Sequence, residues 1–330
     1  MAILTNTFQS TSAVGNRETL SDIVSRITPE DTPILSLISK ETFTGKRPEW
    51  ETDDLAAPGD NFQLEGDEYS FGVTSPAVRV GNWTQILRKD GIISGTQDAA
   101  DNAGNVEQLK FQKVKKGLEL RKDVEFSIVS ANASVSTTTR KSGSLSTWLT
   151  TNVSRGAAGA NGGYNTGTGL TVAPTNGTQR AFTKALMDAT MQLGYVSGAN
   201  FKHMVCSPYI KSVFVTVMSD ANVASFRKAV DSGKNNTIVA TADMYAGPFG
   251  TVMVHENRVM SGSAAMARNV FMLDTEYLKW GWFRPIKEDK EVAKTGDAHK
   301  FVLLGEGALK PTNEKGLGVV ADVFGLTASI

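Results

Sequence analysis

The sequence predicts an α+β fold assembled from an arm, a projecting extended loop, one overlong helix and a separate α/β region. Three observations carry that prediction: a proline-broken amino-terminal stretch, an acidic extended segment without Lys or Arg, and a helical spacing sustained for ~30 residues. The 330 residues allow two packed domains, or one with large excursions. Hydrophobic residues at 40% and charged residues at 21% permit a buried core. Lys plus Arg and Asp plus Glu each number 34, for a net charge of +0, so charge-driven contacts must come from local segregation.

Leu20, Ile23, Val24 and Ile27 recur at helical spacing behind Asn16 or Thr19, either of which can cap the segment. Thr28-Pro29 and Thr32-Pro33 break it, and Pro33 suits the first turn of a second short helix, Ile34 to Ile38. Neither piece can bury much alone; together they read as an arm laid along something larger. Residues 43–98 read as extended chain. β-like runs at Arg47–Glu51, Tyr69–Val73, Ala77–Val80 and Thr84–Leu87 flank a turn-rich middle from Ala57 to Asn61. Between Thr52 and Pro76 the chain holds Asp53, Asp54, Asp60, Glu65, Asp67 and Glu68 with no basic residue. Such a segment is either a solvated acidic loop or a hairpin that docks on a basic surface.

The helix predicted over Asn102–Ala131 is marked by Val106, Leu109 or Phe111, Val114, Leu118, Val124 and Ile128 or Val129. About 30 residues at 1.5 Å each reach ~45 Å, more than a compact domain needs. Lys110, Lys113, Lys115, Lys116, Arg121 and Lys122 stand against Glu119 in its centre. Singly these are a solvated helix face; as a group they are a candidate partner for the acidic loop. Residues 132–178, rich in Ser, Thr, Gly, Ala and Asn, read as a long surface loop with a small helical piece at Leu145–Thr151. A helix follows over Gln179–Tyr195, with Phe182, Leu186, Met187 and Leu193 on its stripe. Strand Lys202–Cys206, helix Pro208–Met218 and strands Gly250–His255 and Asn269–Leu273 then make an α/β region. Tyr277–Leu309 reads as a twisted antiparallel sheet.

Catalytic signatures are scarce. His203, His255 and His299 are isolated in sequence, without the spacing that holds zinc, and no glycine-rich phosphate cradle follows a strand. Cys206 sits in an apolar run and reads as a small buried hydrophobe. Ser225-Phe-Arg-Lys228 and Lys294-Thr-Gly296 match two motifs of penicillin-recognising serine hydrolases, but the third is missing. A cytoplasmic hydrolase using Ser225 and Lys228 is thereby the remote alternative; no cofactor or metal is expected. The amino terminus lacks a secretion signal, and no apolar run approaches the ~18 residues of a membrane span.

As an ordered set, the residues resemble one family, the major capsid proteins of tailed bacteriophages. The amino-terminal pieces are Gly15 to Glu18, Leu20 to Asp22, Ile27, Pro29 and Thr32-Pro33, then Glu49 to Asp53, Leu55-Ala56, Glu65-Gly66, Gly81 to Ile86 and Ser94 to Gln97. Lys116, Glu119, Leu120, Asp123, Glu125, Trp148 and Thr151-Asn152 follow, and then Leu273-Asp274, Arg284-Pro285, Ala293 to Asp297 and Asn313-Glu314. The resemblance implies the Hong Kong 97-type fold: amino-terminal arm, extended β-hairpin loop (E-loop), peripheral domain with a long spine helix and antiparallel sheet, and α/β axial domain. It divides the chain into an arm at 1–42, the loop at 43–98, the peripheral domain at 99–178 and the axial domain at 179–274. Peripheral strands at 275–312 and a segment at 313–330 returning to the axial domain complete it.

The implied function is structural and not enzymatic. Copies form pentamers and hexamers of an icosahedral shell around double-stranded DNA, assembled in the bacterial host cytoplasm and resident in the virion capsid. Implied partners are further copies, a portal protein, a separate scaffolding protein, a decoration protein and packaged DNA touched non-specifically; no membrane is expected. The family's namesake crosslinks its shell through a loop lysine, absent here between Thr52 and Pro76, so no such covalent bond is expected. Expected contacts between copies join Asp53, Asp54, Asp60, Glu65, Asp67 and Glu68 to Lys113, Lys116 and Lys122, with Ile23, Ile27 and Ile34 anchoring the arm. An encapsulin-like nanocompartment of the same fold is the alternative.

Overall fold

A computed structural model describes residues 31–69, 71–74, 76–100, 108–218 and 243–328. The first helix predicted in the arm, with Ile23 and Ile27, lies outside them, as do Ser225 and Lys228. The described chain opens with α1 (Pro33–Leu37), whose first position is the proline that the sequence placed there. Strand β1 (Ser39–Thr42) leads to β2 (Glu49–Thr52), which pairs with β3 (Val78–Gly81) across the intervening residues 53–77. Strand β4 (Gln85–Ser94) and α2 (Gly95–Ala99) precede the spine helix α3 (Gln108–Val129). The short strands β5 (Val153–Ser154), β6 (Gly163–Asn165) and β7 (Leu170–Val172) follow, then α4 (Lys184–Val196), β8 (His203–Cys206) and α5 (Pro208–Met218). Next come β9 (Met244–Gly247), β10 (Gly250–Glu256), α6 (Ala264–Ala267), β11 (Val270–Leu273), β12 (Leu278–Asp289), β13 (Ala298–Pro311) and β14 (Leu317–Val320).

Two sheets organise these elements. The first has the order β1-β12-β13-β4, with β1 parallel to β12 and the remaining pairs antiparallel. Its β12–β13 register shifts around Pro285, a residue with no N–H to give to a ladder. Strand β13 is paired along its length, with Leu303 opposite Lys89 on one side and Glu288 on the other. Gly281 in β12 lets the Phe43 ring lie on the sheet, where any Cβ would collide with it. The second sheet is mixed, in the order β5-β14-β11-β8-β10-β9. Its central strands are buried on both faces, which is why they read as near-continuous apolar runs. Met204, Cys206, Val252, Val254, Val270, Met272 and Val320 meet α4 and α5 on one face. Val205, Phe271, Leu273, Leu317 and Val319 on the other share a core with Ile34, Leu35, Val124, Ile128 and Trp280, which joins the two sheets.

Several expectations change. Helix α3 is described over 22 residues, or about 33 Å, inside the range expected for it, and residues 102–107 of that range lie outside the described residues. The stripe it buries is Leu120, Val124 and Ile128, and Val114 is 64% exposed because it lies about 120° round the helix from Leu120. Phe182 is buried but precedes α4, whose cap is Thr183, and Leu193 is exposed. Tyr69, Phe71, Gly72 and Val73 form no strand. The largest correction concerns residues 132–178. Ser144 to Leu149, Asn152 and Thr171 are core, and the helical piece is a single turn, Leu145–Thr147. Small hydroxyl side chains pack there because they satisfy the backbone they displace from water. Ser134 N donates to Thr171 Oγ1 at 2.8 Å, Thr171 N donates to Ser134 Oγ at 2.7 Å, and Thr147 Oγ1 donates to Ser144 O at 2.7 Å.

Candidate functional site

The loop spanning 53–77 is the part of the described molecule that its own subunit does not cover. Leu55, Phe62, Phe71 and Val73 are 99%, 92%, 96% and 100% exposed, and Leu64 and Tyr69 are also largely exposed. The six carboxylates expected there, Asp53, Asp54, Asp60, Glu65, Asp67 and Glu68, are all exposed. Asp54 pairs with Lys315 at 2.8 Å. The run is apolar, aromatic and acidic, and its described residues are open to water over most of its length.

Its footing, by contrast, is packed and hydrogen-bonded. Trp148 lies 5.6 Å from the Trp50 ring on β2 and stacks on Tyr164 at 5.4 Å. Lys310 from β13 sits 5.8 Å from the centroid of Trp50, and Arg47 sits 5.5 Å from that of Trp83. Glu49 pairs with Arg47 at 3.2 Å and also with Arg79 across the hairpin. Asn82, fully buried, closes the junction. Its Nδ2 donates to Leu309 O at 2.7 Å and Ser142 Oγ at 3.0 Å, while Oδ1 accepts from Gly143 N at 2.9 Å. Beside it, Glu306 accepts from Thr84 Oγ1 at 2.7 Å and from Arg284 Nε at 3.0 Å, and ion-pairs with Arg140. Burial alone raises the Glu306 carboxyl, but the hydrogen bonds from Thr84, Arg140 and Arg284 outweigh it and hold the pKa below the ordinary range.

Two of the three basic residues expected to receive a neighbour's loop have partners at home. Lys113 pairs with Glu288 at 2.7 Å with its Nζ 5.9 Å from the centroid of the Phe301 ring, and Lys116 pairs with Glu119 at 2.9 Å. Lys122 is half-buried. Incoming carboxylates at the first two positions therefore exchange one ion pair for another, which gives specificity more than net attraction.

Ile34 is a clear correction. Expected to meet a neighbour, it is fully buried in its own subunit. The reason is Glu125, an α3 residue with no exposed surface, which caps α1. Its Oε1 accepts from Ile34 N at 3.0 Å and Asn257 Nδ2 at 2.6 Å, and its Oε2 accepts from Leu35 N at 2.9 Å. Burial pushes this carboxyl up, with the three hydrogen bonds opposing. Arg121 Nη2 adds a bond to Ser36 Oγ at 3.1 Å. The spine helix thus holds α1 against itself through Ile34, Leu35 and Ser36.

Two further clusters were hidden from sequence. Asp322, buried and at φ 61°, faces Arg268 at 3.3 Å and accepts from Gly156 N at 3.1 Å. His203 and His255, which appeared isolated, are in contact at 3.0 Å. Cys206 is buried as expected, its thiol pushed up to about 12 by burial. Among the described residues no three His, Cys, Asp or Glu side chains converge as a metal site, and no helix is long and apolar enough to cross a membrane. Lys294, the third member of the hydrolase motif set, is exposed.

The family model for the SU10 major capsid protein matches residues 4–324. A major capsid protein of Escherichia phage Phieco32 is 35% identical over 120 residues, 36% of this chain and 34% of that protein, so the match spans about a third of the relative's length. Among solved structures, the capsid asymmetric unit of cyanophage A-1(L) is similar with a TM-score of 0.67 at 14% identity, covering 97% of this chain and 99% of that one. The capsid of a native GTA particle follows at 0.60 and 11%, covering 96% and 98%. The SrpI encapsulin complex of Synechococcus elongatus reaches 0.59 at 7%, covering 98% and 99%. At these identities the structural likenesses speak for the fold alone, and that fold is the Hong Kong 97 type.

Proposed function

The chain belongs to the SU10 major capsid protein family, and from that premise we propose that it is the shell subunit of a tailed phage, closing as pentamers and hexamers around double-stranded DNA. One observation carries the mechanism: a loop whose aromatic and acidic side chains are open to water, standing on a packed aromatic footing. Burying Phe62, Leu64, Tyr69 and Phe71 on a neighbouring copy supplies the attraction, at about 1.5–3 kcal/mol for each fully buried side chain. Asp60, Glu65 and Asp67 supply register and exclude wrong partners. Contacts are non-covalent, since residues 52–76 contain no lysine. Assembly in the host cytoplasm, a portal, a separate scaffold and a decoration protein belong to the same reading, as does weak, salt-sensitive contact with DNA through local basic patches.

The nanocompartment alternative has the shared fold in its favour, whereas the family match over residues 4–324 favours the phage shell. Electron microscopy of the purified protein tests the proposal: closed shells, empty or DNA-filled, are expected. Changing Asp60, Glu65 and Asp67 together to Lys is expected to slow or block closure while the subunit still folds. Shells forming at the wild-type rate from that variant would sink the docking role of the loop charges.

A further inference from the structure

His203 on β8 and His255 on β10 project from one face of the second sheet. The two strands are parallel neighbours, with Met253 opposite His203 and His255 opposite Val205. Nδ1 of His203 and Nε2 of His255 are 3.0 Å apart, and the ring centroids 5.1 Å apart. That gap accommodates one hydrogen. An N–H of about 1 Å on each ring would leave only about 1 Å between the two hydrogens. The contact therefore survives when both rings are neutral, one donating to the other, and when the pair carries a single extra proton. Two imidazolium rings cannot keep it.

The charged surroundings come from every element packed nearby. Lys202, just before β8, pairs with Glu276 at 2.6 Å and lies 4.0 Å from Asp274. Lys211 on α5 pairs with Asp243, ahead of β9, at 3.0 Å and with Glu256 on β10. Both lysines thus sit in ion pairs, which weaken but do not remove their repulsion of a proton on His203 and His255, and Asp274, Glu256 and Asp243 act in the opposite sense. A cleft of about 420 Å³ opens beside His255, lined by Pro33, Lys211, Asp243, Met244, Met253 and Glu256, and gives a displaced ring somewhere to go.

We propose that His203 and His255 form a proton-sensitive clasp between β8 and β10, which opens in mild acid as one ring swings into the cleft and loosens the β9–β10 hairpin. The hairpin is the unit that yields because, among the described residues, β9 lies at the end of the sheet and pairs only with β10. Burial lowers the pKa of both rings, helped by Lys202 at His203 and by the His203 ring at His255, while Asp274, Glu256 and Asp243 oppose it. A folded pKa below the unfolded one makes the pair's contribution complete above about pH 6.5, and it is lost as pH falls through the folded value. The clasp stands independently of the capsid reading.

Hydrogen exchange on the purified full chain at pH 7.5 and pH 5.0, expressed as protection factors corrected for intrinsic rates, tests it. Relative to β11 and β14, residues 244–256 of the wild type are expected to lose about tenfold or more in protection at pH 5.0. In His203→Gln and His255→Gln that pH-dependent difference is expected to vanish. An equal difference in the variants, or none in the wild type, overturns the clasp. Should either variant fail to fold, NMR titration of the wild-type imidazoles decides. Two coupled steps, the second well below the first, support it, and two independent titrations refute it.

Discussion

Replacing Glu125 with alanine is expected to unlatch the arm from the spine. The substitution strands three donors in a site with no water access: the N–H groups of Ile34 and Leu35 and the Asn257 amide. Each unsatisfied buried donor costs about 1–3 kcal/mol, partly offset because a buried carboxylate no longer has to be desolvated. A net loss of about 3 kcal/mol follows, seen by calorimetry as a melting temperature about 3–6 °C lower for a chain of this size. The loss is local, so limited proteolysis is expected to cut near residues 31–38 much faster than in the wild type. The effect also carries a pH signature. Because burial raises the folded pKa, the native state takes up a proton more readily than the unfolded chain. The contribution of Glu125 is therefore full below the unfolded value of about 4.5 and is lost as pH rises through the folded value. The alanine substitution consequently costs more at pH 4 than at pH 8. A melting temperature within 1 °C of wild type, with unchanged cleavage near residues 31–38, would refute the latch.

Other expectations concern the loop and its footing. Glu306→Gln removes the charge shared by Arg140 and Arg284, which are 25% and 50% exposed, so the loss is about 2–3 kcal/mol and not the full value of a buried pair. Since the Glu306 pKa is lowered, its contribution is present above about pH 4.5 and fades as pH falls through the folded value. The denaturation midpoint of the variant should accordingly fall less steeply in acid. Phe62→Ser with Phe71→Ser should leave subunit melting within about 1 °C while raising the concentration needed for shell formation at least tenfold, as light scattering reads it. Boiled, reduced shells should run as a single monomer band on a denaturing gel, and a ladder of oligomers would contradict non-covalent closure.

What could be read from the sequence follows the range of the interactions involved. Helix α5 begins where the proline puts it, because that signal lies within a few residues. The projecting loop was visible as an acidic, lysine-free gap between two β-like runs. Glu125 was not, since on a charged helix it looks like any solvated carboxylate. Its partners are 91, 90 and 132 residues away. Glu306 meets Thr84 across 222 positions, and the contact of His203 with His255 depends on which strands become neighbours. The Ser- and Thr-rich stretch misled for another reason. Composition marks it as solvated, whereas paired hydroxyls such as those of Ser134 and Thr171 let it pack as core.

The position of β14 has a consequence for the order of events on the ribosome. Val319 pairs with Val153, and Leu317 with Leu273, so β14 fills an interior slot between strands made much earlier. At 5–20 residues per second, β5 waits on the order of ten to thirty seconds for the strand beside it. For the last part of that interval, once β11 has been made, the apolar faces of Phe271 and Leu273 lack their final cover, and Gly156 lacks the Asp322 carboxylate until residue 322 is added. A nascent chain shorter than about 320 residues is therefore a sticky, incomplete sheet and not a small subunit. Synthesis itself acts as a timer, withholding a finished building block until nearly all of this sequence has been translated.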